Sequence, residues 1–263
     1  MAENYGNLRR TDEGPVTTVA LARPEARNAL DAAIIGEITR CFEDLAEDES
    51  VRVVVLTGEG PAFCAGADVG YMRETGGFSY EKNLEDARRL ADMFLALDDL
   101  PKPIVARVRG AAIGGGAGLV AAADVAVVEE ATQFAFSEVR LGIAPATIAP
   151  FVVRKIGYSH ARALFLTGER FNGGRAREIG LVHEVVPERD LDSAVERVVT
   201  QLLQGGPAAQ AAIKELLRQV EATEPMEALG IMTQLIAELR VGEEGQDGLG
   251  AFLEKREPYW RAK

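Results

Sequence analysis

The stretch IVARVRGAAIGGGAGL, which runs from Ile104 to Leu119, decides the fold. It begins with a mostly apolar run up to Val108, of the kind that lies buried on both faces of a parallel sheet. Glycines follow at Gly110 and at positions 114–116. They predict a turn in which the backbone passes close to a neighbouring segment, and the small residues after them predict the start of a helix.

The same alternation of strand and helix extends on both sides of this stretch. Apolar or β-branched runs predict three further strands, at Val16 to Ala22, Val53 to Leu56 and Val125 to Val128. Helices are predicted from the N-cap candidate Asp31 to about Ala46, and over the apolar spacing from Leu84 to Leu97. Strands that alternate with helices are typical of right-handed βαβ units, so we expect an α/β core with a largely parallel sheet.

Helical patterns dominate the sequence beyond about Ala146. We therefore predict two regions, an α/β core over residues 1–195 and a helical C-terminal region over residues 196–263. In the second region, apolar residues occur on more than one face of the predicted helices. Because the region cannot cover all of these faces by itself, the pattern predicts contacts between subunits.

Charge and composition exclude several classes of protein. The chain has 29 basic and 41 acidic residues, a net charge of −12, which argues against a general nucleic-acid binder. Two cysteines and two histidines, without an HExxH or CxxC pattern, argue against a zinc site or a disulfide framework. Neither a signal peptide nor an apolar run of about 18 residues is evident. We expect a cytoplasmic protein with no metal and with neither nucleic-acid nor membrane partners.

Two glycine-bearing turns follow two of the predicted strands, at Ala62 to Val69 and at Gly110 to Leu119. In a parallel α/β sheet, ligands bind beyond the carboxyl ends of the strands. Small residues there let backbone N–H groups approach a ligand, and a helix N-terminus favours an anion. Two such N–H groups that share one oxygen would form an oxyanion hole. On the residues alone, close packing of helix against strand is an alternative explanation of the same glycines.

Several short segments share their order and spacing with one known family. They are RPEARNAL at 23–30, AFCAGAD at 62–68, GGG at 114–116, LTG at 166–168, GLV at 180–182 and FLEKR at 252–256. From about Val16 to Arg256, the chain resembles the enoyl-CoA hydratase/isomerase (crotonase) family. The resemblance implies a crotonase-like ββα superhelix core, followed by a helical trimerisation region, assembled as a homotrimer or a dimer of trimers.

The resemblance also implies a catalytic site. In the family, two backbone N–H groups bind the thioester oxygen of an acyl-CoA, and by motif they belong to Ala67 and Gly115 here. Glu138 matches an acid/base glutamate of the family, and its apolar neighbours in the sequence favour the raised pKa that a general base needs. The family's other glutamate falls on Gly118. No metal or redox cofactor is implied, because coenzyme A arrives as part of the substrate.

The coenzyme A contacts that the resemblance implies are spread over the chain. Arg27 matches a phosphate-contacting position, and the backbone carbonyls of Phe63 and Ala65 match adenine contacts. Lys255, accompanied by Phe252, matches a C-terminal lysine that reaches the nucleotide, often from a neighbouring subunit. On the residues alone, Arg27 is equally an exposed helix-entry residue, and Lys255 a solvated charge near the end of the sequence.

The function implied by the resemblance is that of an enoyl-CoA hydratase, which adds water across the C2–C3 double bond of a 2-enoyl-CoA. Three alternatives stay open. One is a Δ3-Δ2-enoyl-CoA isomerase that uses a single glutamate, and another is a thioester hydrolase or decarboxylase on the same scaffold. The third, made possible by Gly118 in place of one glutamate, is a non-catalytic acyl-CoA-binding protein. Asp68 or Glu74 could supply a further carboxylate, although Asp68 directly follows a turn and is predicted to cap a helix.

Overall fold

A computed structural model describes residues 5–221, 223–224 and 226–261 of the chain. The strands are β1 (Leu8–Glu13), β2 (Val16–Leu21), β3 (Val53–Gly58), β4 (Ile104–Val108), β5 (Ala111–Ile113), β6 (Val125–Glu129), β7 (Gln133–Ala135), β8 (Arg170–Asn172) and β9 (Glu184–Val186). They form a six-stranded sheet in the order β1-β2-β3-β4-β6-β9 and a three-stranded sheet in the order β5-β7-β8. In the larger sheet, β1 is antiparallel to β2 and the other pairs are parallel, which confirms the predicted parallel core.

The helices cover the sheets and extend beyond them. They are α1 (Ala32–Glu47), α2 (Val69–Thr75), α3 (Tyr80–Asp98), α4 (Gly115–Ala122), α5 (Ala149–Thr167), α6 (Gly173–Glu178), α7 (Leu191–Leu203), α8 (Pro207–Glu221), α9 (Leu229–Val241) and α10 (Glu243–Glu254). The carboxylate of Asp31 accepts hydrogen bonds from the N–H groups of Ala33 and Ile34, both at 3.0 Å. The predicted N-cap of α1 is therefore confirmed.

The central strands are apolar along most of their length because they are buried on both faces. Successive side chains of β3 point to opposite sides of the sheet. Val54 and Leu56 enter the main core, between the sheet and the helices that follow the first strands. Val53 and Val55 lie on the opposite face, in a smaller cluster with Leu191 and other residues of α7.

Short second strands turn the chain back towards each following helix. β5 pairs parallel with β7, with Ala112 opposite Phe134, and β7 pairs antiparallel with β8. Cys64 forms an isolated parallel bridge to Ala112, so the turn after β3 joins the same layer. The repeated order of strand, short strand and helix gives the ββα superhelix that the resemblance implies.

The border between core and helical region lies further along the chain than predicted. Residue 195 falls inside α7, and Leu191, Ala194, Val195 and Val199 of this helix are all buried against the larger sheet. Both ends of the apolar face of α7 pack on the same strands, so the helix belongs entirely to the core. The helices outside the core begin with α8.

Helix α8 contacts the core through charged side chains. Nζ of Lys214 lies 2.9 Å from Oδ2 of Asp124, and Arg218 pairs with Asp99. Many apolar side chains in and around the last helices remain exposed: Met226, Leu229, Ile236, Val241, Leu249, Phe252 and Leu253. Within the described segments, no helix is both long and apolar enough to cross a lipid bilayer.

Replacing Gly116 by alanine should destabilise the fold by about 1–3 kcal/mol, the usual range for overpacking. A β-carbon there would overlap the carbonyl oxygen of Cys64 and lie 2.8 Å from the Cβ of that residue. Gly36→Ala is the matched control, since no described atom outside the adjoining backbone of α1 lies within 4 Å of the β-carbon position of this glycine. It should stabilise the protein by about 0.5–1 kcal/mol. Urea unfolding measures both, and equal effects would contradict the packing argument.

Candidate active site

A short segment after β2 holds the first glycine-bearing turn in place. Arg27 and Asn28 both adopt the left-handed region, with φ of 52° and 55°. Asn28 is fully buried, and its side-chain amide donates to the carbonyl oxygens of Glu59 at 2.9 Å and Ala62 at 2.8 Å. Its Oδ1 accepts the N–H of Arg23 at 2.8 Å. One buried side chain thus joins this segment to the chain that enters the first turn.

Leu30 clamps the turn around Ala67. Its N–H donates to the carbonyl oxygen of Gly66 at 2.7 Å, and its carbonyl oxygen accepts the N–H of Asp68 at 2.9 Å. This is the pattern of a parallel bridge, in which the residue between the two bonded peptide groups turns its own N–H to the opposite side. The N–H of Ala67 therefore points away from Leu30, and it donates to no described residue.

The two glycine-bearing turns touch each other through their backbones. The N–H of Cys64 donates to the carbonyl oxygen of Ala111, and the carbonyl oxygen of Cys64 accepts the N–H of Ile113, both at 3.0 Å. A β-carbon on Gly66 would lie 3.0 Å from the carbonyl oxygen of Ile113, and one on Gly116 would overlap that of Cys64. Glycine is required at these two positions because the facing group is backbone, which cannot move aside.

Gly115 is the first residue of α4, so its N–H has no acceptor within the helix. Within the described part of the chain, this N–H donates to no other group. The helix N-terminus adds a partial positive charge, which favours an oxygen that gains negative charge. The touching turns thus carry N–H groups without an acceptor among the described residues, and those of Ala67 and Gly115 are two of them. Such a pair is chemically suited to holding the oxygen of a thioester.

Glu138 begins a 3₁₀ turn beyond β7 and lies beside the start of α4. A β-carbon on Gly114 would lie 2.9 Å from Oε1 of Glu138. The N–H of Gly114 donates to the carbonyl oxygen of Ala135 at 2.8 Å, which ties the turn before α4 to the strand that precedes Glu138. Oε2 of Glu138 is buried and has no hydrogen-bond partner among the described residues. Burial raises the pKa of Glu138 above its ordinary value of 4.5, as its apolar neighbours in the sequence predict.

Gly118, where the resemblance places the family's other glutamate, is closed to any side chain. A β-carbon there would overlap Cγ2 of Ile148 and lie 3.0 Å from Cε1 of Phe94. Ile148 is 2% exposed and Phe94 is completely buried, so a tightly packed core surrounds this position. The space in front of Gly118 is therefore filled by hydrocarbon.

The other carboxylates named from the sequence have different surroundings. Asp68 caps α2, since its carboxylate accepts the N–H groups of Gly70 at 2.8 Å and Tyr71 at 3.2 Å. The hydrogen bond from Tyr71 contributes most to lowering the pKa of Asp68. The predicted N-cap is confirmed, and the Asp68 carboxylate is already engaged. Glu74 is exposed on α2.

The predicted coenzyme A contacts in the first half of the chain differ in how exposed they are. Arg27 is exposed, and its guanidinium forms no ion pair with a described residue, so it is available to an anion. Ala65 is half-buried. Phe63 is 1% exposed, and its carbonyl oxygen lies against Gly58, so it is the weaker of the two predicted adenine contacts. These assignments stay predictions.

Phe252 and Lys255 lie at the far end of the larger sheet. Arg52, the residue before β3, donates to the carbonyl oxygen of Trp260 at 3.3 Å, and the ring of Trp260 packs on Gly248 in α10. Helix α10 is thus held near the amino end of β3, whereas the glycine-bearing turns follow the carboxyl ends of the strands. Both residues are exposed. The chain does not bring them to its own site, and their contact with a neighbouring subunit's ligand stays a prediction.

Two residues that position the site were not identified from the sequence. One is Asn28. Its residue type was a usable signal, because asparagine tolerates a positive φ better than most residues. The other is Arg23, whose guanidinium lies 2.8 Å from Asp31 and 3.3 Å from Asp68. It links the N-caps of α1 and α2, a pairing across 45 residues that local sequence patterns do not predict.

The touching glycine turns carry N–H groups without a described acceptor, and they lie beside a glutamate whose Oε2 has no described partner. This arrangement on a ββα superhelix is the one that the resemblance implies for an acyl-CoA-processing protein. The profile of the enoyl-CoA hydratase/isomerase family matches residues 11–263. The chain belongs to this family, and its fold is the crotonase fold of the solved structures.

Individual relatives cover nearly the whole chain. The crystal structure of an enoyl-CoA hydratase from Shewanella pealeana has a TM-score of 0.94 and 38% identity, over 97% of this chain and 96% of that chain. The 2,3-dehydroadipyl-CoA hydratase of Escherichia coli is 33% identical over 94% of this chain and 96% of its own length. The trans-2-decenoyl-acyl-carrier-protein isomerase of Streptococcus mutans is 30% identical over 97% and 98%. The relatives thus include hydratases and an isomerase.

Asn28→Ala should destabilise the protein by about 1–3 kcal/mol, because buried carbonyl groups lose their donors. It should also lower turnover, since the first turn loses its anchor. Asn83→Ala is the matched control: the Asn83 amide also donates to two backbone carbonyls, but in an exposed position. The control should change stability by less than about 0.5 kcal/mol. Thermal unfolding compares them, and a similar loss in both would contradict the anchoring role.

Glu138→Gln should raise the melting temperature at neutral pH. The pKa of Glu138 is higher in the folded than in the unfolded chain, so the ionised carboxylate destabilises the fold, fully above the folded pKa. The advantage of the variant should shrink as the pH falls through the raised pKa and disappear below about 4.5, where both states are protonated. Glu130→Gln, at an exposed glutamate, is the control. A pH-independent difference would contradict the desolvation argument.

Proposed function

We propose that this protein is an enoyl-CoA hydratase, which adds water reversibly across the C2–C3 double bond of a 2-enoyl-CoA thioester. The observation that carries the proposal is the carboxylate of Glu138. It has a buried oxygen without a hydrogen-bond partner among the described residues, and it lies beside Gly114, which precedes Gly115. A base in this position is available to a water molecule or to an acidic C–H group next to a bound thioester.

The N–H groups of Ala67 and Gly115 bind the thioester oxygen in this proposal. When a nucleophile adds at C3, negative charge moves onto that oxygen and an enolate forms. Donors held in place before the reaction stabilise this charge without reorganising, and a single donor of this kind is worth roughly 3–4 kcal/mol. The backbone contact between the two turns supports the proposal, because it fixes both donors relative to each other.

Glu138 then acts as both base and acid. It takes a proton from water while the water oxygen bonds to C3, and the π electrons of the double bond move towards the thioester. The protonated Glu138 returns a proton to C2, and the thioester carbonyl forms again. Since one carboxylate serves both steps, hydrogen and hydroxyl add to the same face of the double bond. The raised pKa suits this double role, because the group must hold a proton briefly and release it.

A second candidate, isomerisation of a 3-enoyl-CoA to a 2-enoyl-CoA, is favoured by the closed position at Gly118. One carboxylate is sufficient to carry a proton between C4 and C2, and Ile148 fills the place from which a second one would act. The similarity to the Streptococcus mutans isomerase supports the same candidate. The further alternatives are a thioester hydrolase or decarboxylase on the same scaffold and a non-catalytic acyl-CoA-binding protein.

The partners follow from the same chemistry. We propose that Arg27 contacts a phosphate of coenzyme A, and that Lys255 and Phe252 contact the nucleotide bound by a neighbouring subunit. The exposed apolar residues of the last helices support assembly as a homotrimer or a dimer of trimers. No metal or redox cofactor is proposed, because addition of water oxidises nothing and the backbone supplies the polarising dipoles. The cytoplasmic location stays a prediction.

Crotonyl-CoA should lose its conjugated absorbance when the protein is added, and Glu138→Gln should slow this reaction by about 10²–10⁴-fold, the usual contribution of a general acid–base group. Glu130→Gln should leave the rate unchanged. The acid limb of kcat/KM should lie above pH 4.5, since the base must be ionised and burial raises its pKa. An unchanged rate in Glu138→Gln would overturn the role of this residue.

The opposite change in absorbance distinguishes the isomerase candidate from the hydratase. A 3-enoyl-CoA has no conjugated double bond, so isomerisation raises the absorbance, whereas hydration of a 2-enoyl-CoA lowers it. For the proposed hydratase, the rate on the 2-enoyl substrate should exceed the rate on the 3-enoyl substrate. If the absorbance rises faster with the 3-enoyl substrate than it falls with the 2-enoyl substrate, isomerisation is the primary function. Normal acyl-CoA binding without either absorbance change would indicate a binding protein.

A further inference from the structure

Ile148 and Phe94 form a hydrocarbon wall next to α4. Both side chains lie against the β-carbon position of Gly118, and both are buried. Ile148 immediately precedes α5, and Phe94 belongs to α3, so two separate elements meet at this glycine. The ring of Phe94 also packs against Phe151 of α5, with 5.7 Å between the ring centroids. This second contact holds the wall from behind.

The wall lies close to the reacting atoms. Gly118 is three residues after Gly115 in α4, which places it roughly 4.5 Å along the helix axis from the proposed oxyanion donor. Glu138 lies beside Gly114, at the same end of the helix. In the proposed function, the thioester oxygen binds at Gly115, which would bring the first carbons of the acyl group towards both Glu138 and the wall.

A cavity of about 670 Å³ lies between the C-terminal end of α4, α5 and α8. Phe151 lines it, as do Ala121 and Ala122, which lie one helical turn past Gly118 on the same face of α4. The contacts from Gly118 through Phe94 to Phe151 therefore lead from the wall to the lining of this cavity.

We propose that Ile148 and Phe94 end the acyl site and restrict the protein to short acyl chains. The proposal rests on the proposed function in that the site binds acyl-CoA. Each methylene buried in an apolar pocket improves affinity by about fourfold. In a site closed by the wall, this gain stops after the first carbons, because further methylenes have no room to be buried. Ile148 thus determines specificity without exchanging a proton with the substrate.

The test is the affinity of saturated acyl-CoAs, which have no double bond to hydrate. Calorimetric titration measures the affinity of the unsubstituted protein and of the Ile148→Ala variant for butyryl-, hexanoyl-, octanoyl- and decanoyl-CoA. For the unsubstituted protein, the affinity should stay level or fall as the acyl chain becomes longer than that of butyryl-CoA. Ile148→Ala removes the part of the wall that faces Gly118, so octanoyl-CoA should bind at least about tenfold more tightly relative to butyryl-CoA than it does in the full chain.

Ile156→Ala is the matched control, because Ile156 is a buried isoleucine of α5 that is not among the residues nearest to the β-carbon position of Gly118. It should lose a similar amount of stability and keep the length preference of the full chain. Ile148→Val, which removes a single methyl carbon, is the second variant in case Ile148→Ala does not fold. It should shift the preference in the same direction by a smaller factor of about two to four.

The outcomes distinguish the effect of the wall on acyl-chain length from the hydration activity of the protein. Affinity that rises fourfold per methylene up to decanoyl-CoA in the full chain would overturn the proposal, and so would the same length profile in both Ile148 variants. Hydration of crotonyl-CoA is measured in parallel. A length preference that shifts as expected, without any hydration, would sustain the wall and overturn the hydratase. Absence of binding by every acyl-CoA would overturn both.

Discussion

The site depends on one contact between two backbones. The carbonyl oxygen of Cys64 accepts the N–H of Ile113, while Gly116 lies directly against the same oxygen. Only glycine lets α4 begin this close to the first turn, and that closeness determines where the N–H of Gly115 lies relative to that of Ala67. The segment after β2 holds the first turn from the other side, and the paired strands β5 and β7 hold the second. The rest of the core serves to keep these two turns in register.

Glu138 shows that the fold gives up some stability for reactivity. Its carboxylate is partly removed from water and receives no hydrogen bond at Oε2 from the described residues, so its charged form is disfavoured and its pKa rises. A side chain on Gly118 would bring a second functional group near, but Ile148 occupies that space. The raised pKa of Glu138 therefore comes from burial, and the proposed reaction relies on a single carboxylate.

Much of the core was predictable because its signals are local. Apolar runs identified the central strands, and Asp31 and Asp68 were identified as caps by residue type and position. The three-residue strands β5, β7 and β8 were not predicted, because three residues are too few to show a periodicity. The border at residue 195 was wrongly placed inside α7 because a helix on the sheet and a helix beyond it have the same apolar spacing. The packing of Ile148 against Gly118 joins residues 30 positions apart, and only the tertiary structure shows it.

The burial of Cys64 has a consequence for the chemistry of this thiol. Removal from water raises its pKa to about 12, so the sulfur stays protonated and unreactive at physiological pH. Its side chain lies where the two turns meet, against Gly116. An alkylating reagent or oxidant would have to part these turns before it could reach the sulfur. The rate at which this cysteine is labelled therefore reports how often the two turns separate.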